Sequence, residues 1–177
     1  MKYDTIYSLG SRCQNSHILK NYNYREFAGF FDFLNTHSVS NLIHILNDDF
    51  REILNMDNNI IIQYDGNMKD PETGIILHKS IRTLNKFYNN INDIGTATFP
   101  HHDLSAKEDF EHFTKCIKRF KNLKKYNVLF NYTYNKWEND INEQHINKLI
   151  SILEDKYGFL NYKICFIGII NNKFNKK

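Results

Sequence analysis

Cys13 is the residue of this sequence best placed to act as a nucleophile. The stretch Asp4–Gly10 is typical of a short strand that ends in a glycine, and Ser11 with Gln14 matches the Ser-x-x-Gln capping box that begins a helix. Cys13 would then lie near the start of that helix, where the helix dipole and the neighbouring Arg12 favour a thiolate. Backbone N–H groups near Cys13 and Gln14 would also be free to bind a developing oxyanion.

The three cysteines are not equivalent. A free cysteine is commonly a small buried hydrophobic residue, so position alone leaves Cys13 open to that interpretation too. Cys116 lies in a helical pattern and Cys165 in an apolar strand, so we expect both to pack in the core. Their number and wide spacing fit neither a disulfide framework nor a zinc knuckle, and reduced thiols are therefore expected.

A thiolate nucleophile normally needs a base, and His101 and His102 are the best placed of the eight histidines. They follow 95–100, which resembles a strand, and the adjacent Asp103 could orient one imidazole or cap the next helix instead. His78, at the end of another candidate strand, is a reserve base. Adjacent residues on an extended segment point in opposite directions, so His101, His102 and Asp103 are not expected to bind one metal ion.

The first half of the chain predicts a helix around 39–46 and a strand at 60–64. The turn-rich residues 65–74 would connect that strand to a hairpin partner at 75–78. Residues 80–90 have an ambiguous helical pattern. The Phe-rich segment 27–33 is expected to help cover the sheet.

The second half alternates between strand and helix patterns. Strands are expected at 127–130 and 162–170, a long helix after the Ser105-x-x-Glu108 capping box, and a helix around 146–153. Such alternation is typical of a sheet that is at least partly parallel. We expect a three-layer α/β fold, with a mixed, mostly parallel sheet and helices on both faces. Residues 1–177 would form a single domain, which is also compatible with a piece of a longer protein.

Charge and hydropathy exclude several classes of partner. The chain has 23 basic and 20 acidic residues, which nearly cancel, so a nucleic-acid partner is not expected. No apolar run approaches the roughly 18 residues that a membrane span requires, and the start lacks an apolar signal region. We therefore expect no membrane partner and a cytoplasmic location. The sequence leaves the oligomeric state open.

Several motifs resemble, in their order along the chain, those of a family of unknown function whose label is "putative papain-like cysteine peptidases". The resemblance covers nearly the whole chain and is carried by Ser8–Cys13, Phe27–Phe33, Phe99–Asp103 and Lys118–Phe120. It implies a papain-like α+β fold, which is the alternative to the parallel α/β fold.

The resemblance also implies site residues. The family's Gly-Ser-x-Cys falls on Gly10, Ser11 and Cys13, and its histidine falls on His101 or His102. Where the family usually has Pro-Phe-Asp-Trp, this chain has Phe-Phe-Asp-Phe at 30–33. The change keeps the aspartate, Asp32, and alters the residues expected to shape the pocket wall.

The leading functional hypothesis is a cysteine-dependent acyl-transfer enzyme acting on a small molecule or peptide. Cys13 would attack a carbonyl, His102 or His101 would move the proton, and Asp103 or Asp32 would orient the imidazole. Water as acceptor would make it a peptidase or amidase. An amine or sugar as acceptor would make it an acyltransferase, for example one that acetylates an amino sugar from acetyl-CoA. No other cofactor is expected.

A non-catalytic binding module is the alternative hypothesis. A phosphate, nucleotide or sugar would bind at the turn formed by Gly10, Ser11 and Arg12, against the helix start at Gln14. Such a module would need no reactive thiol.

Overall fold

The computed structural model of the protein describes residues 2–10, 13–36, 38–64, 68–69, 76–77, 80–91, 98–135 and 141–169. Within these residues, the strands form one parallel sheet of three, one antiparallel sheet of three and one antiparallel pair. Together with the helices, they confirm the α/β class that the alternation predicts. The parallel and antiparallel strands belong to separate sheets in the described part of the chain.

Strand order shows how distant segments meet. The parallel sheet has the order β1-β7-β8, the larger antiparallel sheet has the order β2-β5-β6, and β3 pairs with β4. The strands are β1 Thr5–Ser8, β2 Asn59–Tyr64, β3 Met68–Lys69, β4 Ile76–Leu77, β5 Ser80–Asn85, β6 Thr98–Pro100, β7 Val128–Asn135 and β8 Tyr162–Ile169.

Helices connect and cover these strands. Their bounds are α1 Cys13–Asn21, α2 Val39–Asn47, α3 Arg51–Leu54, α4 Lys86–Ile91, α5 Lys107–Asn122 and α6 Glu143–Ser151. A wide π-type turn, Ile152–Lys156, continues α6, and short 3-10 turns occur at Phe30–Asp32, Met56–Asn58 and Leu123–Lys125. No helix in the described ranges is both long and apolar enough to cross a membrane.

A continuous aromatic core joins the two larger sheets. The ring of Phe120, on α5, lies 5.7 Å from Tyr7 of β1 and 6.3 Å from Phe130 of β7. In the 3-10 turn, Phe30 contacts Phe99 of β6 at 5.7 Å, and its backbone N–H donates to the hydroxyl of Tyr7. The Phe-rich segment therefore holds the parallel sheet against the antiparallel one.

The predicted hairpin partner of β2 is wrong. The strand at 59–64 pairs over six residues with β5, whereas Ile76 and Leu77 pair with the short strand β3. Residues 80–85, which had an ambiguous helical pattern, therefore form a strand, and the helix α4 begins only after it. The longer ladder with β5 satisfies more backbone groups than the short predicted hairpin would.

Two further expectations are corrected. The helix α5 begins at Lys107 and its N-cap is Ala106, because the N–H and hydroxyl of Ser105 are bonded to the Asp103 carboxylate. Cys165 is exposed and does not pack in the core. It lies on β8, which is at the end of the parallel sheet in the described strand order, and successive side chains of a strand point to opposite faces.

Candidate functional site

The chain leaves β1 through Leu9 and Gly10. Parallel pairing continues beyond the strand, since Leu9 N donates to Asn131 O at 2.9 Å and Thr133 N donates to Gly10 O at 3.0 Å. Gly10 has φ of +104°, which favours glycine. The described residues of the helix α1 begin at Cys13. Cys13 is thus the first described residue of a helix that follows the carboxyl end of a parallel strand.

Asn15 fastens the first turn of α1 to the parallel sheet. Its Nδ2 group donates to Ser8 Oγ at 3.0 Å and to Asn131 O at 3.1 Å, and its side chain is buried. These acceptors belong to β1 and β7, so one amide joins the helix to both strands. Asparagine is abundant throughout this sequence, so the sequence alone gives no reason to single out Asn15.

A cleft of about 330 Å³ lies beside α1. The helix contributes positions three, four and seven residues after Cys13, a spacing that places residues on one helix face. By the same spacing, position 13 falls on this face of the helix, at the start of α1. The lining residues are Ser16, His17, Lys20, Arg25, Asp32, Phe33, Pro100, His101 and His102.

His102 has a carboxylate partner on α5. Its Nδ1 atom lies 3.0 Å from Oδ1 of Asp109, and Oδ2 of Asp109 accepts from the backbone N–H of Asp103 at 2.8 Å. A carboxylate at Nδ1 favours the tautomer that carries its proton there, which leaves Nε2 able to accept one. The rings of Phe33 and Phe113 each meet the imidazole edge to face, at 5.1 Å. The imidazole is thus held on several sides.

Thr83 of β5 fixes the backbone of this loop. Its hydroxyl donates to His102 O at 2.8 Å and accepts from Leu104 N at 3.0 Å. The loop between β6 and α5 is therefore attached to the antiparallel sheet by Thr83 and to α5 by Asp109.

The other residues predicted in this loop have different surroundings. Asp103 Oδ1 accepts from the N–H of Ser105 at 2.9 Å and from its hydroxyl at 2.5 Å, so this carboxylate shapes the entry to α5. His101 is exposed at the cleft, with φ of +67°. The carboxylate in contact with His102 is Asp109, a residue that the sequence did not single out.

Asp32 lies in the same cleft but contacts a different cation. Its Oδ2 atom accepts from Gly29 N at 2.8 Å and from Arg25 Nη1 at 3.2 Å, and Arg25 Nη1 also donates to Ser16 Oγ. Burial raises the pKa of Asp32, and the bonds from Gly29 and Arg25 oppose that rise. The pair connects the segment before the 3-10 turn to α1, and no contact joins Asp32 to His102 in the described residues.

For the remaining predicted residues, the structure gives few or no contacts. Gln14 is the second residue of α1, and Ser11, Arg12 and His78 lie outside the described residues. Within the described residues, no group of three or more His, Cys, Asp or Glu side chains could hold a metal ion.

Comparison with known proteins gives a family. No curated protein and no solved structure matches this chain. The model of a family described as "Putative papain-like cysteine peptidase (DUF1796)" matches residues 4–172, a span that includes every residue of the cleft. The match confirms the resemblance stated from the motifs and supports a cysteine hydrolase, with no support for acyl transfer or for a non-catalytic module. The chain therefore belongs to the family of that description.

Proposed function

We propose that this protein is a cysteine hydrolase, a peptidase or amidase, in which Cys13 attacks a carbonyl carbon and His102 moves the proton. The observation that carries the proposal is the contact of 3.0 Å between His102 Nδ1 and Asp109 Oδ1, beside a cleft that α1 lines. Cys13 begins that face of α1, at the end of the helix where backbone N–H groups are free. Family membership supports the same chemistry.

Asp109 acts as the positioning residue for the imidazole. By accepting the Nδ1 proton it presents Nε2 as the base and stabilises the imidazolium that forms after proton transfer. Asp103 and Asp32 are poorer candidates for this role because their carboxylates are bonded to Ser105 and to Arg25 with Gly29.

The reaction proceeds in two half-reactions. His102 Nε2 takes the thiol proton, the Cys13 sulfur forms a bond to the carbonyl carbon, and the carbon–nitrogen bond breaks as the amine takes that proton. The thioester is then attacked by water, whose proton passes to His102. The carbon–sulfur bond breaks, the carboxylic acid leaves and the thiol is restored. Backbone N–H groups at the start of α1 would stabilise the oxyanion in both steps.

The test combines thiol labelling with hydrolysis. Iodoacetamide labelling of each cysteine is followed by mass spectrometry as a function of pH in wild type, His102→Ala and His101→Ala. Hydrolysis of a library of fluorogenic peptide amides is measured with the same three proteins. We expect Cys13 to be labelled faster than the exposed Cys165, and His102→Ala to slow hydrolysis by about 10²-fold or more.

His101→Ala is the matched control, since it removes the neighbouring imidazole, for which the structure shows no carboxylate partner among the described residues. The proposal is contradicted if Cys13 is labelled no faster than Cys165 and no amide is hydrolysed. A loss in His101→Ala that equals the loss in His102→Ala would remove the assignment of His102 as base.

A further inference from the structure

The cleft beside α1 is lined by basic groups with little accessible acid. Three imidazoles, one ammonium and one guanidinium line it, namely those of His17, His101, His102, Lys20 and Arg25. The one carboxylate in the lining, Asp32, is only 4% exposed and is already bonded to Arg25 and Gly29. Outside the lining, Asp109 is bonded to His102 and to the backbone of Asp103. An anion entering this cleft would meet cations before it met a free carboxylate.

Lys20 is the lining residue most available to such an anion. It is exposed, and none of the residues that the structure describes forms an ion pair with it. Lys20 lies in the last turn of α1, where a cation also stabilises the helix dipole. That effect accounts for a basic residue in this turn but does not require it to face the cleft.

Arg25 contributes less net positive charge to the cleft than Lys20 does. Only its Nη1 atom is used in the bonds to Asp32 and Ser16, and its side chain is 20% exposed. Asp32 offsets the charge of Arg25, so Lys20 provides the uncompensated positive charge of this wall. A cleft lined by charges of one sign, with walls of low dielectric constant, concentrates ligands of the opposite charge.

The helix sets the distance between this charge and the proposed nucleophile. Seven residues separate Cys13 from Lys20, which corresponds to roughly 10 Å along the helix axis. An extended peptide advances roughly 3.3 Å per residue, so about three residues cover that distance. A peptide lying along α1 would bring a side chain near Lys20 within about three residues of the bond attacked by Cys13.

We propose that the substrate carries a carboxylate within about three residues of the scissile bond, and that Lys20 determines this preference. The inference rests on the proposed cysteine hydrolase function and extends it to a substrate class, acidic peptides or amides. Lys20 would bind the carboxylate directly, with Arg25 nearby.

The experiment compares substrates that differ in one side chain and protein variants that differ at one lysine. Fluorogenic peptide amides are prepared that carry Glu, Gln or Lys at one of the three positions on either side of the scissile bond. They are otherwise identical. Hydrolysis is measured with wild type, Lys20→Glu, Lys20→Gln and Lys148→Glu. Lys148 is the matched control, because it is an exposed lysine in the last turn of another helix, α6, and does not line this cleft.

At one position we expect wild type to prefer Glu over Gln by about tenfold in kcat/KM at low salt. The preference should shrink as salt approaches 0.5 M in wild type, a measurement that depends on no variant. Lys20→Gln should remove the preference, Lys20→Glu should reverse it toward the Lys substrate, and Lys148→Glu should leave it unchanged.

The two proposals fail in different ways. Equal hydrolysis of the Glu and Gln peptides by wild type, at all positions, overturns the acidic preference and leaves the hydrolase intact. A preference that persists in Lys20→Glu, or that is lost equally in Lys148→Glu, overturns the role of Lys20. If wild type hydrolyses none of the peptides and Cys13 is not labelled selectively, the hydrolase itself fails and the inference fails with it.

Discussion

Two regions of the protein carry a cysteine and a histidine: the middle of α5, and α1 with the cleft beside it. On α5, Cys116 Sγ lies 3.5 Å from His112 Nε2, and the thiol is fully buried. Burial raises the pKa of Cys116 to about 11 and lowers the pKa of His112, which the nearby His102 lowers further. Both groups are therefore kept neutral. On α1, by contrast, Cys13 begins a helix beside an open cleft that contains His102.

On the proposed assignment, contact between a thiol and an imidazole is not enough to make a nucleophile. A thiolate needs free N–H groups, a cation or water to stabilise its charge. Cys116 lies in the middle of α5, where the backbone N–H groups are used by the helix itself. Cys13 is the first described residue of α1, and the first N–H groups of a helix have no partner within the helix. The comparison predicts that the pair seen in closest contact is the inert one.

The largest effect on hydrolysis should come from removing the thiol of Cys13. Removing the thiol of Cys116 is the matched comparison. We expect Cys13→Ala to reduce hydrolysis by about 10³-fold or more, because the covalent route is lost. Cys116→Ala should retain the wild-type kcat/KM with a lower midpoint of thermal unfolding. If Cys116→Ala is the variant that abolishes hydrolysis, the roles assigned to the two regions are reversed.

The next effect concerns the ionisation of Cys116. With a pKa of about 11, its thiolate fraction at pH 8 is only about 10⁻³. Its alkylation should therefore be far slower than that of the exposed Cys165 and should rise about tenfold per pH unit until pH 11. Mass spectrometry of the native protein measures these rates, and guanidinium should abolish the difference. Equal rates in the native protein would show that Cys116 is not held neutral.

Asp109 and Asp103 separate an orienting carboxylate from a structural one. Asp109→Asn places an amide at Nδ1 of His102, which favours the wrong tautomer, and we expect kcat to fall by about 10²-fold. Asp103→Asn keeps an oxygen that can accept from Ser105, so its effect on kcat should be slight. In the background of His102→Ala, Asp109→Asn should cause no further loss of kcat. A full additional loss would show that Asp109 acts independently of His102.

The smallest effect should come from the attachment of α1. Asn15→Ala removes the bonds to Ser8 and Asn131, and we expect the free energy of unfolding to fall by about 1 to 2 kcal/mol in urea. Asn21→Ala, at the exposed end of the same helix, is the control and should change it little. Labelling of Cys13 should slow in Asn15→Ala because the first turn of α1 is less well fixed. Unchanged labelling would mean that the rest of α1 is sufficient to hold that turn.

Local signals in the sequence were enough to place α1 and both histidines of the loop. A strand pattern closed by Gly10, followed by a capping pattern, depends on neighbouring residues alone, and so does the location of His101 and His102 after a strand. The exposure of Cys165 and the pairing of β2 with β5 depend on which strand lies beside which. Local composition does not carry that information.

Asp109 was missed for a similar reason. An acidic residue in the first turn of a helix is already explained by the helix dipole, and nothing in the sequence indicates that the chain returns to His102 after seven residues. The contact arises because the turn at Asp103 and Ser105 brings the loop back over the start of α5. A general search for acids in first helical turns downstream of candidate histidines would have included it among several others.

The hydroxyl of Thr83 bridges His102 O and Leu104 N, so the imidazole depends on the small antiparallel sheet for its placement. That sheet has three strands in the described residues, and β6 contributes only three of its residues. Phe99 of β6 is fully buried and packs on Phe30, so this sheet cannot fray without opening the aromatic core. Heating should therefore remove the placement of the His102 loop and the fold together, at one melting temperature.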